Sequence, residues 1–209
     1  LDRNVSGDSE QTYIVETMSA GVAFIDIDDD ADQDLFLVSG TRFDAETPAT
    51  HHHRLYRNDP APEGQPLTRR YVDISRSAGV TQPGWGMGVA AADTDNDGDT
   101  DLLVTHWGAD RLYLNDGTGR FADMGAEAGV ADQGWASSAA FGDLDGDGSL
   151  DLYVTRYLEF DRNSPPGGEG RNCYYKGLEV FCGPRFVPPL SDLLYRNRAD
   201  GSFENLSGR

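Results

Sequence analysis

The sequence predicts an all-β fold, a β-propeller of four-stranded blades with about three blades in the chain. Three observations predict it. An aspartate-rich phrase occurs three times. Short apolar runs flank every copy. Two further strand-and-turn phrases then follow at corresponding places in each unit.

The acidic phrases are Asp26-Ile27-Asp28-Asp29-Asp30-Ala31-Asp32-Gln33-Asp34, Asp93-Thr94-Asp95-Asn96-Asp97-Gly98-Asp99-Thr100-Asp101 and Asp143-Leu144-Asp145-Gly146-Asp147-Gly148-Ser149-Leu150-Asp151. They start 67 and 50 residues apart (93 − 26 and 143 − 93). Upstream stand Gly21–Ile25, Gly88–Ala92 and Ser138–Gly142; downstream stand Leu35–Val38, Leu102–Thr105 and Leu152–Thr155. Short apolar runs rich in Val and aromatics and bounded by turn residues read as strands, so each acidic phrase joins the two strands of a hairpin.

The third strand is predicted at Arg54-Leu55-Tyr56-Arg57-Asn58, Arg111-Leu112-Tyr113-Leu114-Asn115 and Leu193-Leu194-Tyr195-Arg196-Asn197. The second copy runs into the turn sequence Asp116-Gly117-Thr118-Gly119. The fourth is predicted at Tyr71–Ser75, Phe121–Met124 and Phe203–Leu206, and the first two units close on Ala78-Gly79-Val80 and Ala128-Gly129-Val130. Four strands repeated at 50 residues or more is the period of propeller blades, whose apolar faces must cover one another. The single partial domain 1–209 divides into units of about 12–80, 81–130 and 131–209. Inserts at 40–53 and 158–192 break the period; Ser164-Pro165-Pro166-Gly167-Gly168 argues against regular structure in the second. Thr12-Tyr13-Ile14-Val15 reads as the last strand of a further unit. Three blades do not close a ring, so the expectation is a piece of something longer or a protomer completed by its neighbours. Trp85 and Trp135 occupy equivalent places and, with Tyr56, Tyr113 and Tyr195, are predicted core.

Carboxylates two residues apart turn toward one centre when the backbone curls. Ca²⁺ takes six to eight hard oxygen ligands in flexible geometry. The expected ligands are positions 1, 3, 5 and 9 of each phrase, with the carbonyl of position 7. These are Asp26, Asp28, Asp30, Asp34 and Asp32; Asp93, Asp95, Asp97, Asp101 and Asp99; Asp143, Asp145, Asp147, Asp151 and Ser149. About three Ca²⁺ are expected. Position 6 is Gly98 and Gly148 where a sharp turn is wanted, but Ala31 in the first copy, which predicts strain or weaker binding there. An EF-hand needs a bidentate Glu at position 12 and a helix after it. Position 12 is Leu37, Val104 and Val154, inside apolar runs, so that reading fails. Mg²⁺ prefers water and few carboxylates and fits less well.

Composition limits the rest. The chain carries 36 acidic residues, 27 of them Asp, against 17 basic ones, for a net charge of −19 that three Ca²⁺ would reduce to about −13. With no basic stripe, nucleic acid is not an expected partner. No apolar stretch is long enough to span a membrane. The chain begins at Leu1 with neither charged n-region nor apolar h-region, so any signal peptide is expected to be already removed. Cys173 and Cys182 are nine positions apart; a local disulfide and two free thiols are both open, and an oxidising compartment favours the disulfide. His51-His52-His53 are expected on an exposed loop rather than around one metal ion, and His106 in a packed or rim position. No nucleophile elbow, P-loop, zinc-protease or dinucleotide fingerprint occurs, and no carboxylate pair stands out as a glycosidase site.

The phrase Asp-x-Asp-x-Asp-Gly-x-x-Asp between two strands resembles the Ca²⁺ loop of FG-GAP/VCBS repeats in integrin-α-type propellers. Glu16-Thr17-Met18, Leu55-Tyr56-Arg57-Asn58, Gly84-Trp85-Gly86-Met87-Gly88-Val89 and Phe181-Cys182-Gly183-Pro184 resemble the bacterial ASPIC/UnbV-type relatives of cartilage acidic protein. The resemblance implies a seven-bladed propeller, Ca²⁺ in the blade hairpins, secretion, and a role in adhesion or assembly. It brings no catalytic residues.

The functional expectation is a secreted calcium-binding module, extracellular, at the cell surface or periplasmic, with a protein or glycan partner and the 158–192 insert as its contact surface. The alternatives are a subunit of an extracellular filament or larger complex, and a carbohydrate-binding or hydrolytic propeller.

Overall fold

A computed structural model describes residues 6–8, 13–18, 21–43, 51–64, 68–163, 173–180 and 187–208. Each acidic phrase does join two antiparallel strands, and each unit does contain four. The first blade is β1 (Val22–Ile25), β2 (Asp34–Leu37), β3 (Arg54–Pro60) and β4 (Arg69–Asp73), hydrogen-bonded in that order. The second is β5 (Trp85–Ala92), β6 (Asp101–Trp107), β7 (Arg111–Asn115) and β8 (Phe121–Asp123). The third uses β9 (Ala136–Gly142) and β10 (Asp151–Arg156). It resumes after the insert with β13 (Leu193–Asn197) and β14 (Phe203–Asn205). Register is equivalent across blades: Leu35 faces Tyr56, Leu102 faces Tyr113 and Leu152 faces Tyr195. The fold is all-β and built of propeller-type blades. No helix among the described residues is long and apolar enough to cross a membrane.

The core lies between blades, as the alternation of strand side chains requires. One face of β6 presents Leu102 and Val104 to the first blade, where Phe36, Val38 and Leu55 meet them with Tyr113. Its other face presents Leu103 to Leu152, Val154 and Tyr195 of the third. The middle blade is therefore buried on both sides. The outer faces of its neighbours are not: Val22 and Phe24 of β1 are 57% and 60% exposed, and Tyr153 of β10 is 43% exposed. A third cluster closes one end of the blades. There Trp85 and Trp135 pack with Val15 and Leu158, and Trp107 bridges to Trp135. Trp85, Trp135, Tyr56, Tyr113 and Tyr195 are all buried, as the sequence predicts.

Backbone stitches repeat at each junction. The Phe121 amide donates to Ala78 O and the Phe203 amide to Ala128 O, both at 2.8 Å. The turn after one blade thus caps the fourth strand of the next. Gly79 has φ +82°, and a Cβ there would sit 2.6 Å from Phe121 O. The Ala-Gly-Val phrase needs its glycine for conformation and for space alike.

Two expectations are overturned. The predicted strand at Thr12–Val15 is instead a 3-10 turn, Ile14–Thr17 (Thr12 itself lies outside the described residues). Its cause is the buried Glu16 carboxylate, which accepts the amides of Tyr13 at 2.7 Å and Asp8 at 2.8 Å and curls the chain. The insert at 158–192 is not devoid of regular structure. It carries a hairpin of β11 (Cys173–Tyr175) and β12 (Leu178–Val180). Lys176 and Gly177, at φ +50° and +81°, form the two-residue turn whose left-handed geometry matches strand twist. The Pro-Gly run that argued against structure lies outside the described residues, as does Cys182.

Candidate cation-binding loops

The three loops share one backbone course. Position 4 is left-handed in each (Asp29 +56°, Asn96 +62°, Gly146 +79°), and so is position 6 (Ala31 +65°, Gly98 +101°, Gly148 +89°). The amide of position 6 donates to the carboxylate of position 1: Ala31 to Asp26, Gly98 to Asp93 and Gly148 to Asp143, at 2.9 to 3.0 Å. The amide of position 7 donates to position 5, as Asp32 to Asp30, Asp99 to Asp97 and Ser149 to Asp147. Short carboxylates at odd positions therefore close the loop on itself while leaving further lone pairs turned inward.

Position 9 is the buried anchor. Asp34, Asp101 and Asp151 are 0%, 1% and 5% exposed. One oxygen of each accepts the amide of position 2 (Ile27 at 3.1 Å, Thr94 at 2.9 Å, Leu144 at 3.1 Å). The other accepts the amide of the third-strand asparagine: Asn58 at 2.7 Å, Asn115 at 2.9 Å and Asn197 at 2.9 Å. Position 9 thus ties the loop to its own blade.

Among the described residues, three carboxylate groups converge with oxygens within 4.8 Å of one another: Asp26, Asp28 and Asp34; Asp93, Asp95 and Asp101; Asp143, Asp145 and Asp147. Of the remaining predicted ligands, Asp30 and Asp97 serve the loop amides and Asp32 pairs with Arg69. Asp151 holds Leu144 and Asn197 without joining the third group. Position 12 falls within β2, β6 and β10 as expected, which excludes the helix of an EF-hand.

Burial and mutual repulsion act on the carboxyls of the first two loops. Burial, then repulsion from Asp30 and Asp34, pushes the Asp28 carboxyl above its ordinary range; burial, then Asp97, does the same for Asp95. Asp34 and Asp101 are raised by burial despite their amide donors. Asp26 Oδ1 and Asp28 Oδ1 are enclosed with no hydrogen-bond partner. A hard divalent cation between them would satisfy both, and the all-oxygen donor set fits Ca²⁺.

The asparagines were visible in the sequence as part of a strand-and-turn phrase, but their function was not. Asn115 Nδ2 donates to Ile27 O of the preceding blade at 3.0 Å, and Asn197 Nδ2 to Thr94 O at 2.8 Å. Their recurrence in all three phrases was the available signal.

The histidines correct another expectation. His52 and His53 are buried, not on an exposed loop. His53 Nδ1 accepts the Ser39 amide at 3.2 Å. Asp110 accepts the His106 amide and Asp192 the Arg156 amide at the same place in the other blades. A neutral imidazole replaces an aspartate carboxyl group as the acceptor that closes the turn into the third strand, which draws the ring inside. His106 is packed, as predicted.

Residues 93–154, from the second loop to β10, match the FG-GAP-like repeat family. The stretch covers one complete blade-to-blade junction, and a repeat of this kind points to a propeller-type protein-interaction module. No curated protein matches the chain.

Proposed function

We propose that this chain is a secreted calcium-binding propeller module of the ASPIC/UnbV type, a binding protein rather than an enzyme, with one structural Ca²⁺ in each acidic loop. The observation that carries the reading is the convergent carboxylate group, repeated in every blade, with Asp26 Oδ1 and Asp28 Oδ1 enclosed and unpartnered. Asp26, Asp28 and Asp34 would hold the first ion, Asp93, Asp95 and Asp101 the second, and Asp143, Asp145 and Asp147 the third. Ca²⁺ there supplies charge neutralisation and pins each hairpin. The extracellular or periplasmic setting agrees with millimolar free Ca²⁺ and with a Cys173–Cys182 disulfide, which we include in the proposal.

The contact surface of the module is the β11–β12 hairpin. Tyr174, Tyr175 and Leu178 are 67%, 64% and 70% exposed on an element that, among the described residues, has no sheet neighbour beyond its own two strands. Exposed tyrosines are among the side chains enriched at protein-binding hot spots. The test of the calcium reading is thermal unfolding of the full chain in excess EGTA and again after Ca²⁺ is restored. The melting temperature should fall by several degrees and recover. An unchanged midpoint would sink the reading.

A second reading concerns the open outer faces. Val22 and Phe24 lie on the face of the first blade equivalent to the one that the second blade buries with Leu102 and Val104. Further blade-like sheets, from the same polypeptide or from a neighbouring chain, are what such a face would pack against. Sedimentation of the chain measures this directly: association suppressed by Phe24→Lys supports it, and a monomer at high concentration opposes it.

A further inference from the structure

Position 2 of each loop lies between the first two cation-facing carboxylates, so whatever holds its peptide orients both. The Ile27 peptide is held on both sides. Its amide donates to Asp34 within its own blade, and its carbonyl accepts Asn115 Nδ2 from the next. Asn115 is in turn placed by its backbone amide, which donates to Asp101, the position 9 carboxylate of the second loop. Asp101 also accepts the amide of Thr94 and, at 2.5 Å, its hydroxyl. The Thr94 carbonyl then accepts Asn197 Nδ2, and the Asn197 amide donates to Asp151, which holds Leu144 of the third loop. One unbroken hydrogen-bonded chain therefore runs from the first loop to the third, alternating between a buried aspartate and an asparagine of the following blade. From Ile27 to Asp151 all its members are buried. In the third loop, Leu144 O accepts no such amide among the described residues, and Leu144 is 66% exposed.

We propose that Asn115 and Asn197 are positioning residues for the loop of the preceding blade, and that through Asn115 cation binding by the first two loops is coupled, since Asp101 joins the second carboxylate group. The inference rests on the calcium reading. An ion in the second loop draws in Asp101, Asp101 fixes Asn115, and Asn115 sets the Ile27 peptide that carries Asp26 and Asp28. Coupling is reciprocal, so an ion in the first loop favours the second equally.

The experiment is calorimetric titration of the full chain with Ca²⁺ alone, with Asp145→Ala present throughout to silence the third loop. Disabling the second loop by Asp95→Ala should weaken the first about fivefold or more. Asn115→Ala should weaken the first loop comparably, although Asn115 belongs to the second blade, and adding Asp95→Ala should then cost the first loop little further. Hydrogen exchange in the calcium-free chain gives a metal-independent readout: Asn115→Ala should speed exchange of the Ile27 amide, which donates to Asp34, more than that of the Leu144 amide, which donates to Asp151. Asn197→Ala repeats the test one blade on, with the second loop as the responder. Calcium uptake with a first loop indifferent to both Asp95→Ala and Asn115→Ala would overturn the coupling alone. No uptake by the wild-type chain would overturn the calcium reading and the coupling with it.

Discussion

The Nε2 atoms of His53 and His106 lie 3.2 Å apart across the junction of the first two blades, and their surroundings admit one proton arrangement. His106 Nδ1 donates to Val104 O at 2.9 Å, so its Nε2 is the acceptor. His53 Nδ1 accepts the Ser39 amide, so its Nε2 is the donor. Both rings are neutral and every nitrogen is used. The fit is close: a Cβ on Gly86 would fall 2.7 Å from His53 Cε1. A proton added to either ring leaves two donors face to face.

That pair makes stability depend on pH. Burial, then the charges of His106, Arg111 and His52, hold His53 well below its ordinary 6.5; burial, then Arg111, lowers His106 to about 4. Below 6.5 the unfolded chain takes up protons that the folded chain refuses, so stability falls as pH drops from 6.5 toward 4. Each histidine contributes a slope of up to about 1.4 kcal/mol per pH unit. Urea unfolding at saturating Ca²⁺ between pH 7.5 and 5 should show the loss, and His106→Gln should flatten it. Equal slopes in the two proteins would refute the assignment.

Asp110 works in the opposite sense. Burial drives its carboxyl up to about 8, even though it accepts the His106 amide at 2.7 Å. The folded chain holds this proton and the unfolded chain does not, so its contribution is present below the unfolded value near 4 and is lost as pH rises through 8. Asp110→Asn keeps the acceptor without the charge. It should raise stability at pH 9 by on the order of 2 kcal/mol, less than the full shift implies because buried sites relax and admit water. The advantage should shrink as pH is lowered to 5. An asparagine variant no more stable at pH 9 than at pH 5, relative to wild type, would show that Asp110 is ionised throughout.

Ala31 stands where the other loops have glycine, and it is left-handed, at φ +65°. That conformation costs an L-residue about 1–2 kcal/mol, of which glycine returns part through its greater freedom when unfolded. Ala31→Gly should therefore stabilise the calcium-free chain by about 0.5 kcal/mol, and Gly98→Ala or Gly148→Ala should destabilise it by a similar or larger amount. Denaturation midpoints in EGTA read both directions. A neutral or destabilising Ala31→Gly would mean that the first loop relaxes in solution.

How much of this was legible in the sequence follows from the range of each interaction. The strands were legible because Leu35–Val38, Leu102–Thr105 and Leu152–Thr155 are apolar runs ended by acidic turns, and both signals are local. Convergence of positions 1 and 3 was legible for the same reason. The roles of Asn115 and Asn197 were not, since each donates to a carbonyl 88 or 103 residues earlier. Ile14-Val15 reads as strand by composition, and only the Glu16 carboxylate beneath it makes a turn. The buried position of His53 depends on an imidazole doing the work that Asp110 and Asp192 do elsewhere, a substitution that residue type disguises.

The two Ala-Gly-Val turns offer a comparison in which conformation is held constant and space is not. Gly79 and Gly129 have φ +82° and +77°, so alanine at either carries the same left-handed cost of about 1–2 kcal/mol. The surroundings differ. A Cβ on Gly129 would meet Phe203 O at 3.3 Å, which a small shift relieves, whereas one on Gly79 would meet Phe121 O at 2.6 Å. Relief at Gly79 requires the Phe121 to Ala78 hydrogen bond to lengthen, and with it the junction of the first two blades to open. Gly79→Ala should cost about 1–3 kcal/mol more than Gly129→Ala in urea unfolding, the usual scale of overpacking. Amide exchange at Phe121 should quicken in the first variant, while exchange at Phe203 in the second should change less. Equal losses would place the whole cost in backbone conformation and none in the contact between blades.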